Sequence, residues 1–257
     1  MNKPHTFNHR ILVAVNQLLL PLNLRLYRLR DHQPLEDRYV VKPPLVVQAI
    51  TGMRNPVVLD VGASEGDMVA FVLEHAPAAT IYAFEPQPDE ASSIRARFKD
   101  QPGVHVFQVG VGEKPGMLTF HVNEKKQASS FLASNEVGQS NAPFLNETDA
   151  ISVEVICLDD WYQQLATPPA QIDLLKLDVQ GYEPNVLRGA TEVLKRTRAI
   201  VVEAALMPMY EGQLPYEQLI PVIQQHGFSI TAAGAGYHNK TNGHLIEVDV
   251  LLTRSQA

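Results

Sequence analysis

The chain is poor in cysteine, tryptophan and positive charge, and it holds no long apolar run. Cys157 is the only cysteine among 257 residues. That excludes an internal disulfide and any zinc site built on cysteine, and it suits a reducing compartment. Lys and Arg total 21 against 28 Asp and Glu, for a formal net charge of -7. A grip on nucleic-acid phosphates needs concentrated Lys and Arg, so a nucleic-acid partner is not expected. The most apolar stretch, 11–29, is interrupted by Asn16, Gln17, Pro21, Asn23 and Arg25. A membrane span needs about 20 mostly apolar residues, so none is expected. The same stretch lacks the small-residue cleavage site of a signal peptide. These absences predict a cytoplasmic protein, in which the sequons at Asn146 and Asn239 carry no meaning.

What is present is an ordinary globular composition, 45% hydrophobic, long enough for one large α/β domain with attachments. Residues 1–50 are expected to form a helical arm and linker, and 51–257 the main domain. Within the arm, 9–30 reads as a helix broken near Pro21, with leucines on one side and Arg10, Arg25, Arg28 and Arg30 among them. Such a stripe packs on its own domain or on a second copy, which would make a homo-oligomer. A basic helix lying on a membrane surface or a partner is the competing reading.

The informative stretch is 57–85. A short apolar run (Val57, Val58, Leu59) reads as a buried parallel strand, a glycine-bearing turn runs from Asp60 to Gly66, a helix covers 67–75, and a second apolar run (81–84) ends on Glu85. Strand, glycine turn, helix, strand and acid make a βαβ unit that holds a nucleoside. Gly62 and Gly66 are expected to let the backbone approach a ligand, and Glu85 to accept the two hydroxyls of a ribose.

Downstream, 88–98 reads as a helix, 104–109 as a strand, 110–112 as a turn, and 117–122 with 151–156 as a two-strand insertion around a long polar loop, 123–150. A helix over 158–165, a strand over 172–179, a single helix over 182–195, a strand over 199–202, a helix over 216–226, and strands over 228–232 and 247–253 complete the order. Alternation of this kind predicts a doubly wound, mostly parallel sheet with helices on both faces. The last strand follows its predecessor through a loop (234–244) without a helix, so it should run antiparallel. Ligands bind outside the carboxyl ends of such strands. Asp60, Glu85, Asp178 and Glu203 all fall at those ends. Crowding like charges is costly, so the four point to function.

The turn Asp60-Val61-Gly62-Ala63-Ser64-Glu65-Gly66 departs from a dinucleotide fingerprint: it lacks the first close glycine pair and carries acids at Asp60 and Glu65. Those carboxylates would repel a pyrophosphate. They suit a ligand bearing an ammonium and a sulfonium, which describes S-adenosylmethionine.

Five motifs then occur in order: DVGASEG (60–66), AFEP (83–86), ASSF (128–131), LDDW (158–161) and IDLLKLDVQGYEPNVLRGA (172–190). In these the chain resembles the FkbM-type methyltransferases, over 57–252. The resemblance implies a Rossmann-like, class I methyltransferase sheet of seven strands with the last antiparallel. It implies donor binding by Asp60, Gly62, Ser64, Gly66, Glu85 and Pro86, with adenine near Gly110 and Val111. It also implies O-methylation of a hydroxyl on a sugar or other small polyhydroxylated metabolite. Ser64 stands where the family commonly has Asn, and Gln180 where it commonly has an acid.

Methyl transfer to a hydroxyl needs alignment and a base. Asp178, Glu183 and Glu203 are the candidate catalytic carboxylates, with Asp178 first, and Lys176 is expected to pair with one of them. Ser129 and Ser130, in the long loop, and His238, in the 234–244 loop, are candidate acceptor contacts. No protein metal site is read from the spacing; Mg2+ is compatible with the sequence but not required by it. The competing functions are a donor-binding protein that has lost catalysis with the change at Gln180, and an NAD-linked oxidoreductase.

Overall fold

Runs of Val, Leu, Ile and Ala too short for helices fold as strands buried on both faces, and the intervening amphipathic segments cover them. The structure is a computed structural model that describes residues 44–234, 236–239 and 242–254. These lie within one compact unit, Val41–Ala257. The expected arm helix at 9–30 lies outside the described residues.

The elements are α1 (Pro44–Ile50), β1 (Val57–Val61), α2 (Asp67–His75), β2 (Thr80–Phe84), α3 (Pro88–Arg97), β3 (Val104–Phe107), β4 (Gly110–Val111), β5 (Gly116–Asn123), α4 (Glu136–Asn141), β6 (Glu147–Ile156), α5 (Leu158–Gln164), β7 (Leu174–Leu177), α6 (Glu183–Arg188), α7 (Thr191–Arg196), β8 (Ala199–Ala205), α8 (Tyr216–Gln224), β9 (Phe228–Ala233) and β10 (Glu247–Arg254). Among the described residues the main sheet has seven strands in the order β3-β2-β1-β7-β8-β10-β9. All pairings are parallel except those of β10, which runs antiparallel to β8 and β9. This is the doubly wound sheet with an antiparallel last strand that the element order predicts. The order reverses at β1, so the carboxyl ends of β1 and β7 flank the crevice where ligands bind.

Two layers of core follow from the alternation along the strands. On one face Val58, Leu174, Val201 and Leu251 pack against Leu45, Val46, Val69 and Val72. On the other, Leu59, Leu175, Val202 and Leu252 pack against Trp161, Val186, Leu187 and Ile220.

Four local expectations are corrected. Residues 31–55 read from the sequence as a polar, proline-bearing approach to the core, but within them α1 buries Leu45, Val46, Ala49 and Ile50 in the core itself. Gly110 and Val111 do not form a turn; they pair parallel with Val155 and Ile156, making the insertion a three-stranded sheet, β4-β6-β5. The long loop carries its own structure, two 3-10 turns (Lys126–Ala128 and Pro143–Leu145) and α4 between them. The single helix expected over 182–195 is two, α6 and α7, parted at Gly189. A Cβ at Gly189 would lie 2.1 Å from Gly112 O, so this backbone must pass the β4 turn without a side chain.

Candidate active site

The turn after β1 is shaped by the protein around it. Gly62 has φ 80° and Gly66 φ 75°, a left-handed conformation that suits glycine. A Cβ on Gly62 would lie 1.9 Å from the backbone O of Asp178, and one on Gly66 2.9 Å from the Phe98 ring. Both glycines were expected to make room for a ligand; the close neighbours are the β7 turn and α3 instead. Ser64 also adopts positive φ, 48°, and its Oγ is buried without a hydrogen-bond partner. An orphaned hydroxyl in this turn is the kind of group a ligand satisfies.

Glu85 follows β2 and is 2% exposed. The backbone N–H of Ser64 donates to Oε2 at 2.7 Å, and that of Gln87 to Oε1 at 2.9 Å. The carboxyl is thus fixed across the mouth of the turn with lone pairs to spare. Burial pushes its pKa up to about 7, against those two hydrogen bonds. Pro86 follows, half-buried. The N–H of Glu85 donates to Phe107 O at the end of β3, so the chain toward Gly110 leaves from beside the carboxyl. Gly110 and Val111 are buried; a Cβ on Gly110 would lie 2.3 Å from the Phe131 ring.

The first 3-10 turn of the insertion is tied to this region. Gln87 Nε2 donates to Lys126 O at 3.1 Å, and Gln127 Nε2 to Glu65 Oε1 at 3.0 Å. Ser129 and Ser130, expected as acceptor contacts, hold the loop itself: Ser129 Oγ accepts the Asn123 N–H, while Ser130 Oγ donates to Gln180 O and accepts the Leu132 N–H.

Asp60 is fully buried, and Lys176 Nζ lies 3.2 Å from its Oδ1, 3.3 Å from Asp178 Oδ2 and 2.7 Å from Gly62 O. Burial works to lower the Lys176 pKa, but the Asp178 and Asp60 charges outweigh it and the net shift is upward. Lys176 therefore clamps the β1 turn to the end of β7, the pairing expected for it.

The carboxyl groups continue across β8 and β10. The Gln180 side-chain amide donates to Asp178 Oδ1 at 2.7 Å and to Glu203 Oε2 at 2.9 Å, and accepts the Tyr210 hydroxyl at 2.9 Å. Gln180 holds φ 53° to do so. Glu203 is opposite Asp249 on the neighbouring strand. Glu247, two residues from Asp249 on the same strand face, is 5% exposed. Burial, then the Glu247 charge, pushes Glu203 well up; burial, then Asp178, takes Glu247 up to about 8 and Asp249 to about 7. Burial above all pushes the Tyr210 hydroxyl up as well. Asp178 keeps a side chain 37% exposed, so it can meet a second ligand.

Glu183 is brought beside this row but turned to its own loop: Oε1 accepts the N–H groups of Val179 and Gly181, each at 3.2 Å, and burial pushes it up to about 7. His238 is exposed, with its backbone bridged to Leu245. Glu247, Asp249 and Tyr210 were missed in the sequence; the signal for the first two was an i, i+2 acid pair opening an otherwise apolar strand. Among the described residues no group of three or more His, Cys, Asp or Glu side chains is arranged to hold a metal ion, and no helix is long and apolar enough to cross a membrane. A hollow of about 500 Å³ beside Arg95, Phe98 and His105 is lined by none of the rim carboxylates.

Comparison with known proteins gives this arrangement a family. Residues 60–230 match the methyltransferase FkbM domain. The chain is 31% identical over 175 residues to the 2-O-methyltransferase NoeI of Sinorhizobium fredii, covering 66% of this chain and 71% of that protein. It is 27% identical over 199 residues to the 31-O-demethyl-FK506 methyltransferase FkbM of Streptomyces tacrolimicus, covering 68% and 74%. An rRNA methylase structure from Streptococcus thermophilus superposes with a TM-score of 0.46 at 13% identity, covering 87% of this chain and 100% of that one. With its glycine turn, Glu85 and the β7 motif all inside the matched residues, the chain belongs to the FkbM methyltransferase family.

Proposed function

We propose that this protein transfers a methyl group from S-adenosylmethionine to a hydroxyl on a sugar or other small polyhydroxylated acceptor. The observation that carries the donor is Glu85, fixed by the Ser64 and Gln87 N–H groups across the mouth of the glycine turn. A carboxylate so held can accept both hydroxyls of a ribose. The orphaned Ser64 Oγ beside it and the exposed acid Glu65 fit a cationic, amino-acid-bearing nucleoside and disfavour the pyrophosphate of NAD. Hydroxyl as the acceptor group is supported by two relatives, one named a 2-O-methyltransferase and the other a 31-O-demethyl-FK506 methyltransferase.

When bound, the donor supplies a methyl carbon on sulfonium sulfur. The rest is positioning and one proton. Transfer to a hydroxyl would require the protein to hold that oxygen in line with the methyl group and to take its proton. Asp178 is the base in this account: it is half-exposed, abuts the Gly62 turn, and is aimed by Lys176 and Gln180. A base so placed contributes about 10²–10⁴-fold in rate. Glu203, behind the same Gln180 amide, lines the acceptor side. Glu183 braces the turn that presents Asp178.

Methyl transfer from labelled S-adenosylmethionine to a panel of neutral monosaccharide and disaccharide glycosides tests the proposal. Label in at least one glycoside, abolished by Asp178→Asn with donor binding retained, is expected. Donor binding with no transfer to any hydroxylated acceptor would leave the non-catalytic reading standing. NAD binding in place of S-adenosylmethionine would overturn both.

A further inference from the structure

Glu203 and Glu247 lie as a pair on adjacent strands, Glu247 two residues along from Asp249, the residue opposite Glu203. Burial without a matching cation penalises the ionised form of each carboxyl, so the pair favours holding a proton. Glu247 Oε1 is buried without a partner, as is expected of a carboxyl kept neutral by its surroundings. The charged and titratable groups facing the pair are Asp178, Glu183 and Asp249, all acidic, the Tyr210 hydroxyl, and Tyr237 on the Glu247 side. The nearby cation, Lys176, is already matched by Asp60 and Asp178. The row thus has more carboxyl groups than positive charge.

We infer that Glu203, Glu247 and Asp249 form a carboxyl reservoir that discriminates the positively charged methyl donor from its neutral product, ionising when a sulfonium is bound and taking its proton back when the sulfur loses its charge. The inference rests on the donor reading proposed above. Its geometric basis is the short path from the donor turn to the row: Gly62 abuts the Asp178 backbone, and Asp178 is joined to Glu203 through one amide nitrogen. S-Adenosylmethionine and S-adenosylhomocysteine share their ribose, adenine and amino-acid groups, so contacts at Glu85 and Ser64 cannot separate them. A single positive charge at sulfur can, in a poorly solvated site, through the ionisation of neighbouring acids. A site of this kind releases product after transfer and resists product inhibition. The upward pKa shifts of Glu247 and Asp249 put the response near neutrality.

The test is calorimetric titration of the full chain with S-adenosylmethionine and, separately, with S-adenosylhomocysteine, in buffers of different ionisation heat from pH 6 to 9. The expected result is more protons released by the donor than by the product near pH 7. The ratio of their affinities should rise with pH, by up to about tenfold per unit where one proton is linked. Glu247→Gln should flatten that rise, and Asp249→Asn serves the same purpose should Glu247→Gln not fold. Equal proton counts and a constant affinity ratio, with both ligands bound, would overturn the reservoir while leaving the donor site intact. Absence of binding by either ligand would overturn the donor reading and the inference with it.

Discussion

Gln180 donates its side-chain amide to Glu203 Oε2 at 2.9 Å while the same nitrogen donates to Asp178 Oδ1 at 2.7 Å. One neutral group therefore holds two carboxyls together where charge alone would part them. Gln180→Leu removes both donors and leaves the Tyr210 hydroxyl without its Gln180 acceptor. The expected loss is about 1–3 kcal/mol, read as a lower Tm in thermal unfolding. Unchanged stability would show that the bridge is not formed.

Gly62→Ala tests the joint between β1 and β7. Its Cβ would lie 1.9 Å from a backbone oxygen, and the residue holds positive φ. Gly212→Ala is the control, since it also has positive φ, 73°, but nothing within 4 Å of its Cβ. The control should cost about 1 kcal/mol for the backbone alone; Gly62→Ala should cost clearly more by denaturant unfolding. Equal losses would contradict the close approach.

Lys176→Met leaves Asp60, fully buried, and Asp178 without their shared cation. Removing one partner of a buried pair costs about 3–5 kcal/mol. Adding Asp60→Asn should recover part of that in a double-mutant cycle. Simple additivity of the two would argue against the clamp.

Stability without ligand should fall as pH rises through neutrality. Glu85, Glu247 and Asp249 have folded-state pKa values raised to about 7, about 8 and about 7. A raised carboxyl favours the folded state while protonated. Its contribution is whole below the unfolded value, near 4, and is lost as pH climbs to the folded value. Tm should therefore decline from pH 5 to pH 8, and Glu247→Gln should shrink the decline, by about 1–2 kcal/mol between those limits. A Tm that rises over this window would reverse the sign.

The sheet was legible because its strands are short apolar runs between helices with clear breaks, and β1, α2 and α5 fall where their periodicity puts them. The position of Glu85, directly after β2 and buried, was legible too. The roles of several motif residues were not. Asp159 of LDDW caps α7, accepting the N–H groups of Glu192 and Val193, and Trp161 packs edge-on against Tyr82, Phe84 and Phe107. Gly189 is small because Gly112 crosses it. Such reasons depend on a neighbour distant in sequence, which spacing along one chain does not contain. Glu247 and Asp249 escaped for the same cause: only the antiparallel register of β10 on β8 sets them beside Glu203. Serine hydroxyls at 129 and 130 looked free for an acceptor, but loop backbone takes them.

The central claim is that Glu85 and the glycine turn hold S-adenosylmethionine, and calorimetric titration of the full chain and of Glu85→Ala with that donor tests it most directly. Hydrogen bonds to a charged group are each worth about 1.5–3 kcal/mol, so the account predicts saturable binding by the wild type and an affinity lower by about 10–100-fold in Glu85→Ala, with folding retained by circular dichroism. Equal affinity in the two proteins, or no binding by the wild type, would contradict it.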